Sequence, residues 1–349
     1  MRHDYQKNVE PHASPPEKLL PKVVVVLLVL ALVLVVLLPA TPMLYPTPDT
    51  DTSIFMYIGQ KIVQGQLPYR DLYDHKPPLI FYINALGLHL FRGSRWGIWI
   101  IELASLAAAS LFGFAFLRRY FRSFTALVAI GAMLLNLAFV HQRGNLTEEY
   151  ALPFQFAALF FLSQGDQTGK FGWRSFIIGC SLGMASTLKQ PMAGAGVAIG
   201  IYLLLRYAEK NQWRNLIAEY LLIILGFVTV WAAWFVYFTA VGIFPQFWEA
   251  AFRYNFALSG IPLAKKVRAL LAAFDLLFNY SIFFLAGALA WLGLFPYLIF
   301  YDRRFTDFLK RPIIGLGLVL GGLVIFWNGL FAEKFTLFEN YSLYRISLI

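Results

Sequence analysis

The feature that most constrains this chain is an apolar run near its N-terminus, from Val23 to Leu38, which reads VVVVLLVLALVLVVLL. A helix needs roughly 20 mostly apolar residues to cross a bilayer, because the hydrocarbon core is about 30 Å thick and each residue rises about 1.5 Å. The run is longer than the apolar core of a signal peptide, about 7–15 residues, and no small-x-small cleavage site follows it. We therefore expect an uncleaved membrane anchor.

The rest of the chain has the composition of a membrane protein. Of its 349 residues, 59% are apolar and 14% are charged, against about 45–50% and about 25% in soluble domains. The net charge of +10 forms no basic face outside the membrane flanks, which argues against nucleic acid as a partner. Further long, non-alternating apolar runs predict helices rather than a barrel. The fold class that we expect is an all-α polytopic membrane protein with about nine transmembrane helices. The predicted spans are 23–38, 96–117, 123–140, 150–163, 175–188, 191–206, 216–240, 276–300 and 313–331.

Basic residues in the short loops predict how these spans are oriented. With the proline-rich residues 1–22 as a disordered cytoplasmic tail, the turn 118–122 (RRYFR) falls on the cytoplasmic side, as the positive-inside rule favours. This orientation requires that the stretch 79–91 does not cross the membrane. It is short and contains Asn84 and His89, which favours an interfacial helix in the outer leaflet.

The domain organisation that follows is a membrane domain between two short tails. It covers residues 23–331 and contains a large outer loop at 46–95. A short outer C-terminal tail would occupy residues 332–349.

The outer loop carries the most informative residues. Apolar side chains recur at helical spacing across 52–64, which predicts an amphipathic helix on the membrane surface. Asp51 would lie just ahead of this helix, as an N-cap, as a functional carboxylate, or as both. Further along, the loop gathers Asp71, Asp74, His75 and Lys76. A histidine beside carboxylates binds a divalent cation or relays a proton, and a lysine neutralises a phosphate; the alternative is a plain solvated loop.

Two more outward segments carry charged residues. The stretch 141–150 contains Arg143, Glu148 and Glu149, and the two glutamates also suit the first turn of a helix. Lys189 lies in a polar break between two short spans, where it either contributes to a site or extends its ammonium to the interface.

These motifs resemble those of bacterial GT-C membrane glycosyltransferases, the group related to protein O-mannosyltransferases and to the aminoarabinose transferases of lipid A. The most specific part is the first outer loop, with Asp51-Thr-Ser-Ile-Phe-Met-Tyr-Ile-Gly and then Gly65-Gln-Leu-Pro-Tyr-Arg-Asp-Leu-Tyr-Asp-His-Lys-Pro-Pro. Asn145-Leu-Thr-Glu-Glu-Tyr and Leu188-Lys-Gln-Pro resemble later motifs of the group. The likeness extends over about residues 20–330.

The resemblance implies a function and a place for it. The chain would be a multi-pass inner-membrane enzyme with a cytoplasmic N-terminus and a GT-C-like fold. It would transfer a sugar, with inversion, from a polyprenyl-phosphate donor to a lipid, glycan or protein acceptor on the periplasmic face.

The resemblance also implies roles for individual residues. Asp51 matches the catalytic base, and Lys76 matches the lysine that contacts the donor phosphate. Arg143 and Lys189 are further candidate cations for that phosphate. Either Glu148 or Glu149 would be the second acidic residue. His75 falls where some relatives have a glutamate that binds a metal, so a divalent metal cofactor is left open.

Two alternatives remain at this stage. A transporter or lipid flippase also has many spans, although such proteins tend to place ionisable residues in mid-membrane. Members of the resembled group usually continue beyond a ninth span with more helices. We therefore expect either a short member or a truncated one, and a truncated, non-catalytic paralogue is the second alternative to an active enzyme.

Overall fold

The computed structural model of the chain describes residues 22–46, 50–140, 144–168 and 172–258. Over these residues the fold is helical and contains no β-strand, which confirms the predicted all-α class. Short 3-10 turns follow α1 and precede α8, and a π-helical turn at Glu249–Arg253 joins α10 to α11. The helices are α1 (Lys22–Leu37), α2 (Thr50–Val63), α3 (Leu79–Leu90), α4 (Trp96–Leu117), α5 (Ser123–Val140), α6 (Thr147–Thr168), α7 (Trp173–Ser186), α8 (Ala195–Glu209), α9 (Trp213–Ala240), α10 (Phe244–Trp248) and α11 (Tyr254–Leu258).

Several of these helices are long and apolar enough to cross a membrane. In the described part, 4 segments are long and apolar enough to cross one: Val23–Ala40, Trp96–Leu117, Gln190–Glu209 and Trp213–Ala240. The runs predicted at 150–163 and 175–188 belong to α6 and α7, which polar residues extend at one or both ends. The predicted spans 276–300 and 313–331 and both terminal tails lie outside the described residues. The chain is thus a helical membrane protein, and the predicted total of nine spans stays a prediction.

The end of α1 and the start of α4 lie at the same end of the helix bundle. The indole Nε1 of Trp99 donates to the carbonyl of Leu37 at 3.0 Å. The guanidinium of Arg95 donates to the carbonyls of Tyr45 and Pro46 at 2.9 and 2.6 Å. The chain passes through α2 and α3 between α1 and α4. Because α4 begins at the bundle end where α1 finishes, α2 and α3 together bring the chain back to that end. That residues 79–91 do not cross the membrane stays a prediction.

The basic turn 118–122 and the starts of α7 and α9 lie at the opposite end of the bundle. Arg119 lies over the ring of Phe160, with its guanidinium carbon 4.8 Å from the ring centroid. The buried carboxylate of Glu219 accepts hydrogen bonds from the hydroxyl of Ser175 at 2.6 Å and from the N–H of Gly172 at 3.3 Å. Glu219 thereby ties the beginning of α9 to the beginning of α7.

Glycines allow the helices to approach one another closely. A Cβ on Gly179 of α7 would collide with the carbonyl of Ile223 in α9, and a Cβ on Gly226 would collide with the carbonyl of Phe176. Small residues of this kind are the usual means of close helix packing in membranes, where the hydrophobic effect does not draw helices together. The tight α7–α9 contact fixes the position of Lys189, just beyond the end of α7.

Candidate functional site

An ion pair between Asp51 and Lys76 lies at the bundle end that contains α2 and α3. Lys76 Nζ is 3.5 Å from Asp51 Oδ2. The lysine side chain is 9% exposed and the aspartate side chain 23%, so the carboxylate is the partner that faces solvent. The structure corrects the predicted position of Asp51, which is in the first turn of α2 rather than ahead of it. A carboxylate in a first turn is stabilised by the helix dipole.

The backbone around Lys76 is fixed by three hydrogen bonds. Asp74 Oδ1 accepts from the N–H of Lys76 at 2.8 Å, and the hydroxyl of Tyr69 donates to the carbonyl of Lys76 at 2.8 Å. The N–H of Leu79 donates to the carbonyl of Thr187 at 3.0 Å, which anchors the far side of Pro77-Pro78 to the end of α7. The ammonium itself lies 4.6 Å from the ring centroid of Phe55, a cation–π contact. Lys76 is therefore held in place before any ligand arrives.

Tyr69 is a site residue that the sequence analysis missed. Its ring packs edge-on against Phe81, Phe238 and Phe247, with centroid distances of 6.1, 5.5 and 5.4 Å. Burial, reinforced by the charge of Asp74, raises the pKa of the Tyr69 phenol well above its usual value, so the hydroxyl remains a donor. Tyrosine at a loop position gives no sequence signal for this role, because the partners come from distant helices. For Asp74 a signal existed, since aspartate often bonds to the backbone N–H two residues later.

Asp71 has a structural role in the same loop. Its carboxylate accepts from the guanidinium of Arg70 at 2.8 and 2.9 Å and from the N–H of Leu67 at 2.8 Å. The hydrogen bond from Arg70, followed by that from Leu67, lowers the pKa of Asp71 to about 2. Asp71 thus closes the turn that leads into the Lys76 segment.

His75 lies beside the ion pair but lacks the surroundings of a metal ligand. Its Nδ1 is 4.0 Å from Asp74 Oδ1, an oxygen that already accepts from Lys76. Its ring packs against Tyr254 at 5.4 Å, and its carbonyl accepts from Asn255 at 2.9 Å. Within the described ranges no three His, Cys, Asp or Glu side chains are grouped so as to hold a metal ion. These residues do not fit a metal centre, and we derive no step through a metal.

A second ion pair joins Glu148 of α6 to Lys189 beyond α7. Lys189 Nζ hydrogen-bonds to Glu148 Oε1, and the hydroxyl of Thr147 donates to Glu148 Oε2 at 2.7 Å. The glutamate side chain is fully buried and the lysine side chain is 18% exposed. Lys189 is thus paired with a carboxylate. The sequence alone was also compatible with a lysine that only extends its ammonium to the membrane interface. The third candidate cation, Arg143, lies outside the described residues.

The side chain of Glu149, the next residue in sequence, contacts different partners from that of Glu148. Its Oε2 accepts from the N–H of Leu146 at 3.2 Å, the contact of a glutamate at the third position of a helix with the capping residue. Its carboxyl group also lies beside that of Glu102 on α4. The two adjacent glutamates therefore have separate surroundings, which the sequence did not distinguish.

Direct contacts bring the first outer loop against the segment that contains these glutamates. The hydroxyl of Thr52 donates to the carbonyl of Gly144 at 3.0 Å. The side-chain amides of Asn84 and Asn145 exchange two hydrogen bonds, at 2.9 and 3.1 Å. Together with the Leu79–Thr187 bond, these contacts place both ion pairs on elements that touch one another. They join residues as far apart in sequence as 79 and 187, which no local sequence pattern predicts.

We expect the Glu148–Lys189 pair to matter for stability. Glu148→Gln leaves the Lys189 charge without its partner and should lower the free energy of unfolding by about 2–3 kcal/mol. This is somewhat less than the ~3–5 kcal/mol of a fully buried pair, because Lys189 keeps some contact with solvent. The double substitution Glu148→Gln/Lys189→Met should recover most of the loss. Thermal and denaturant unfolding in detergent measure these changes.

The control for this prediction is an exposed ion pair between residues four apart in the chain. Arg253 and Glu249 are 3.1 Å apart with side chains 74% and 56% exposed, so Glu249→Gln should change stability by less than about 1 kcal/mol. If the losses from Glu148→Gln and Lys189→Met simply add in the double variant, the pair is not coupled and the prediction is wrong.

The sequence of the same region matches a known family. Residues 75–237 match the family described as "Dolichyl-phosphate-mannose-protein mannosyltransferase", which confirms the resemblance to GT-C glycosyltransferases. No curated protein and no solved structure gives a significant match to this chain. The matched segment contains Lys76, Glu148 and Lys189, whereas Asp51 lies ahead of it.

Proposed function

We infer that this chain is a membrane glycosyltransferase of the GT-C type that uses a lipid-linked sugar donor, because residues 75–237 match that family. We propose further that the donor is a polyprenyl-phosphate sugar and that the sugar is transferred with inversion. The acceptor would be a hydroxyl-bearing lipid, glycan or protein. The observation that carries the proposal is the 3.5 Å pair of Lys76 and Asp51, in which the cation is buried and the carboxylate reaches solvent.

In the proposed reaction, Asp51 is the base and Lys76 binds the leaving group. The acceptor oxygen attacks the anomeric carbon while its proton passes to the Asp51 carboxylate. The bond from the anomeric carbon to the phosphate oxygen breaks, and its electron pair leaves with polyprenyl phosphate. A single displacement inverts the anomeric carbon and needs no covalent intermediate, unlike the two-carboxylate route of retaining glycosidases.

The ion pair suggests how donor binding prepares the base. In the free protein Lys76 and Asp51 compensate each other's charge at 3.5 Å. A donor phosphate beside Lys76 would share that ammonium, leaving the Asp51 carboxylate to accept a hydrogen bond from the acceptor hydroxyl. Because charge accumulates on the departing phosphate, a cation fixed beforehand by Phe55, Asp74 and Tyr69 stabilises the transition state without reorganising.

The proposed location is the inner membrane, with the N-terminus in the cytoplasm and both ion pairs on the periplasmic side. The basic turn 118–122, which follows α4, and the site residues belong to opposite ends of the bundle. The positive-inside rule then favours the site end as the outer one. A domain of residues 23–331 flanked by two short tails is part of the same proposal.

Vesicle assays test the reaction and its side together. Right-side-out and inside-out vesicles containing the protein receive a water-soluble, short-chain polyprenyl-phosphate sugar with a radiolabelled sugar. We expect release of polyprenyl phosphate and transfer of label to vesicle acceptors in right-side-out vesicles only. Turnover confined to inside-out vesicles would overturn the orientation. Absence of both turnover and saturable donor binding in either kind of vesicle would overturn the proposed function.

A transporter is less consistent with the position of the ionisable residues. Glu102, which the sequence placed inside a span, accepts a hydrogen bond at 2.7 Å from the N–H of Asn145 in an end loop. Glu219 is likewise bonded to the start of α7 at the other end. In the described part of the chain, these buried glutamates are tied to the ends of the bundle rather than placed along a path through its middle.

A further inference from the structure

Asn84 of α3 and Asn145, which lies just ahead of α6, form a buried pair of side-chain amides. Asn145 Nδ2 donates to Asn84 Oδ1 at 2.9 Å, and Asn84 Nδ2 donates to Asn145 Oδ1 at 3.1 Å. Asn84 is fully buried and Asn145 is 3% exposed. Two hydrogen bonds between the same two planar groups fix their distance and also their relative orientation.

Further hydrogen bonds tie this amide pair to the helices on either side. Asn84 Nδ2 also donates to the carbonyl of Ile80 at 2.9 Å, and Asn145 Oδ1 also accepts from the hydroxyl of Tyr150 at 3.2 Å. Asn145 has a φ of +60° and Gly144 one of +91°, so two consecutive residues are left-handed, a conformation that asparagine and glycine tolerate best. The amide pair therefore holds the backbone at residues 144–145 in an uncommon shape.

This backbone is connected to the helix that carries Asp51. The carbonyl of Gly144 accepts from the hydroxyl of Thr52 at 3.0 Å. Thr52 is 7% exposed and directly follows Asp51 in the first turn of α2. Asn84 also contacts α2 further along, because a Cβ on Gly59 would lie only 2.8 Å from Asn84 Cβ. The amide pair thus supports α2 at its first turn and again near its end.

We propose that the amide pair and the Thr52 hydroxyl are positioning residues that fix the Asp51 carboxylate for proton transfer. This inference rests on the proposed function, in which Asp51 is the base. The backbone of Lys76 is held by other groups, the Tyr69 hydroxyl and the Asp74 carboxylate. Loss of the Thr52 connection should therefore slow the reaction step and leave donor binding nearly unchanged.

The first test replaces Thr52 in the membrane-reconstituted protein. Thr52→Val keeps the shape of the side chain but cannot donate, so the single-turnover rate at saturating donor should fall about 10- to 100-fold, as expected when a reacting group is displaced by about 1 Å. The dissociation constant of the radiolabelled short-chain polyprenyl-phosphate sugar should stay within about threefold. Thr52→Ser, which restores the hydroxyl, should recover most of the rate. The matched control is Thr41→Val, because Thr41 is 5% exposed and its hydroxyl donates to the carbonyl of Leu38.

The second test removes the amide of Asn145. Asn145→Gly keeps the backbone N–H and suits a φ of +60°, so it removes the side chain without straining the loop. We expect a rate loss of similar size to that of Thr52→Val. The double variant Thr52→Val/Asn145→Gly should lose little more than the worse single variant, because both changes break the same connection. Losses that multiply in the double variant would show two independent effects and overturn the proposal.

Hydrogen–deuterium exchange tests the connection without relying on activity. The backbone amides of α2 should exchange faster in Thr52→Val and in Asn145→Gly than in the wild type or in Thr41→Val. Unchanged exchange in both variants would mean that the amide pair does not support α2.

The remaining outcomes separate this inference from the proposed function. If exchange rises but Thr52→Val turns over donor at the wild-type rate, the amide pair only stabilises the fold and the positioning role is wrong. The same conclusion follows if Thr52→Val weakens donor binding as much as it slows the reaction. If the wild type neither binds nor turns over donor while the exchange of α2 still depends on these residues, the proposed function fails together with the positioning role, and the connection stands.

Discussion

Replacing Asp51 with Asn should abolish most turnover of a polyprenyl-phosphate sugar and leave the fold nearly unchanged. The amide has the shape of the carboxylate but is not a base, so the rate should fall by about 10²–10⁴, the usual contribution of general-base catalysis. The structural cost comes from two lost interactions of the carboxylate. The side chain lies in the first turn of α2, is 23% exposed and pairs with the buried Lys76 at 3.5 Å, so losing the helix-dipole interaction and the ion pair together should cost about 1–3 kcal/mol. Single-turnover rates and unfolding midpoints measure the two effects separately.

The matched control for this prediction is Glu249→Gln. Glu249 is an exposed carboxylate whose side chain is paired with Arg253, and its loss should leave turnover unchanged. If Asp51→Asn turns over donor at the wild-type rate, Asp51 only supports the helix, and the proposed mechanism is wrong. An Asp51→Asn variant that no longer folds would contradict our expectation that Asp51 acts in catalysis more than in stability.

Replacing Lys76 with Met should lower kcat/KM by about 10³, the upper end of the effect of removing one fixed donor from a transition state. Met keeps the apolar part of the side chain against Phe55 but removes the charge that would neutralise the phosphate. Because the phosphate is bound in the ground state and gains charge in the transition state, both KM and kcat should worsen. Lys76→Arg should recover little, because a planar guanidinium does not replace a compact ammonium over the Phe55 ring.

Lys61→Met is the control for this prediction. Lys61 is also a lysine over an aromatic ring, with Nζ 5.5 Å from the centroid of Tyr57, but it lies in the last turn of α2, away from the ion pair. It should keep wild-type kinetics. A Lys76→Met variant that is less stable yet retains kcat/KM within about threefold would make Lys76 a structural partner of Asp51 and not a phosphate ligand.

The assignment of the acidic residues changes how the second outer loop is interpreted. Glu148 and Glu149 both suit the first turn of a helix, and the sequence offered no reason to prefer either. In the folded protein Glu148 is paired with Lys189, whereas Glu149 accepts from the N–H of Leu146 and lies beside Glu102. If a second acidic residue acts near the donor, Glu148 is the better candidate, because its partner is a partly exposed cation.

The architecture at the level of single elements was largely predictable. Apolar runs predicted the helices, since a span must satisfy its backbone internally and present apolar side chains to lipid. The amphipathic helix predicted at 52–64 corresponds to α2 (Thr50–Val63), and the short apolar stretch 79–91 to α3 (Leu79–Leu90). The polar extensions of α6 and α7 were less predictable, because helix ends depend on local capping and on tertiary contacts more than on hydropathy.

The site was predictable as a set of residues but not as a set of pairs. The sequence determined the membrane class, the helices and the charged residues of the outer loops, because hydropathy and local motifs depend only on neighbours along the chain. Only the tertiary structure decided that Lys76 pairs with Asp51, that Lys189 pairs with Glu148, and that Glu149 lies beside Glu102 and not beside Lys189. Such pairs join residues far apart in sequence, and they depend on how closely helices approach at glycines such as Gly179 and Gly226. The physical reason is that charge pairing acts over a few ångströms, and helix packing sets that distance.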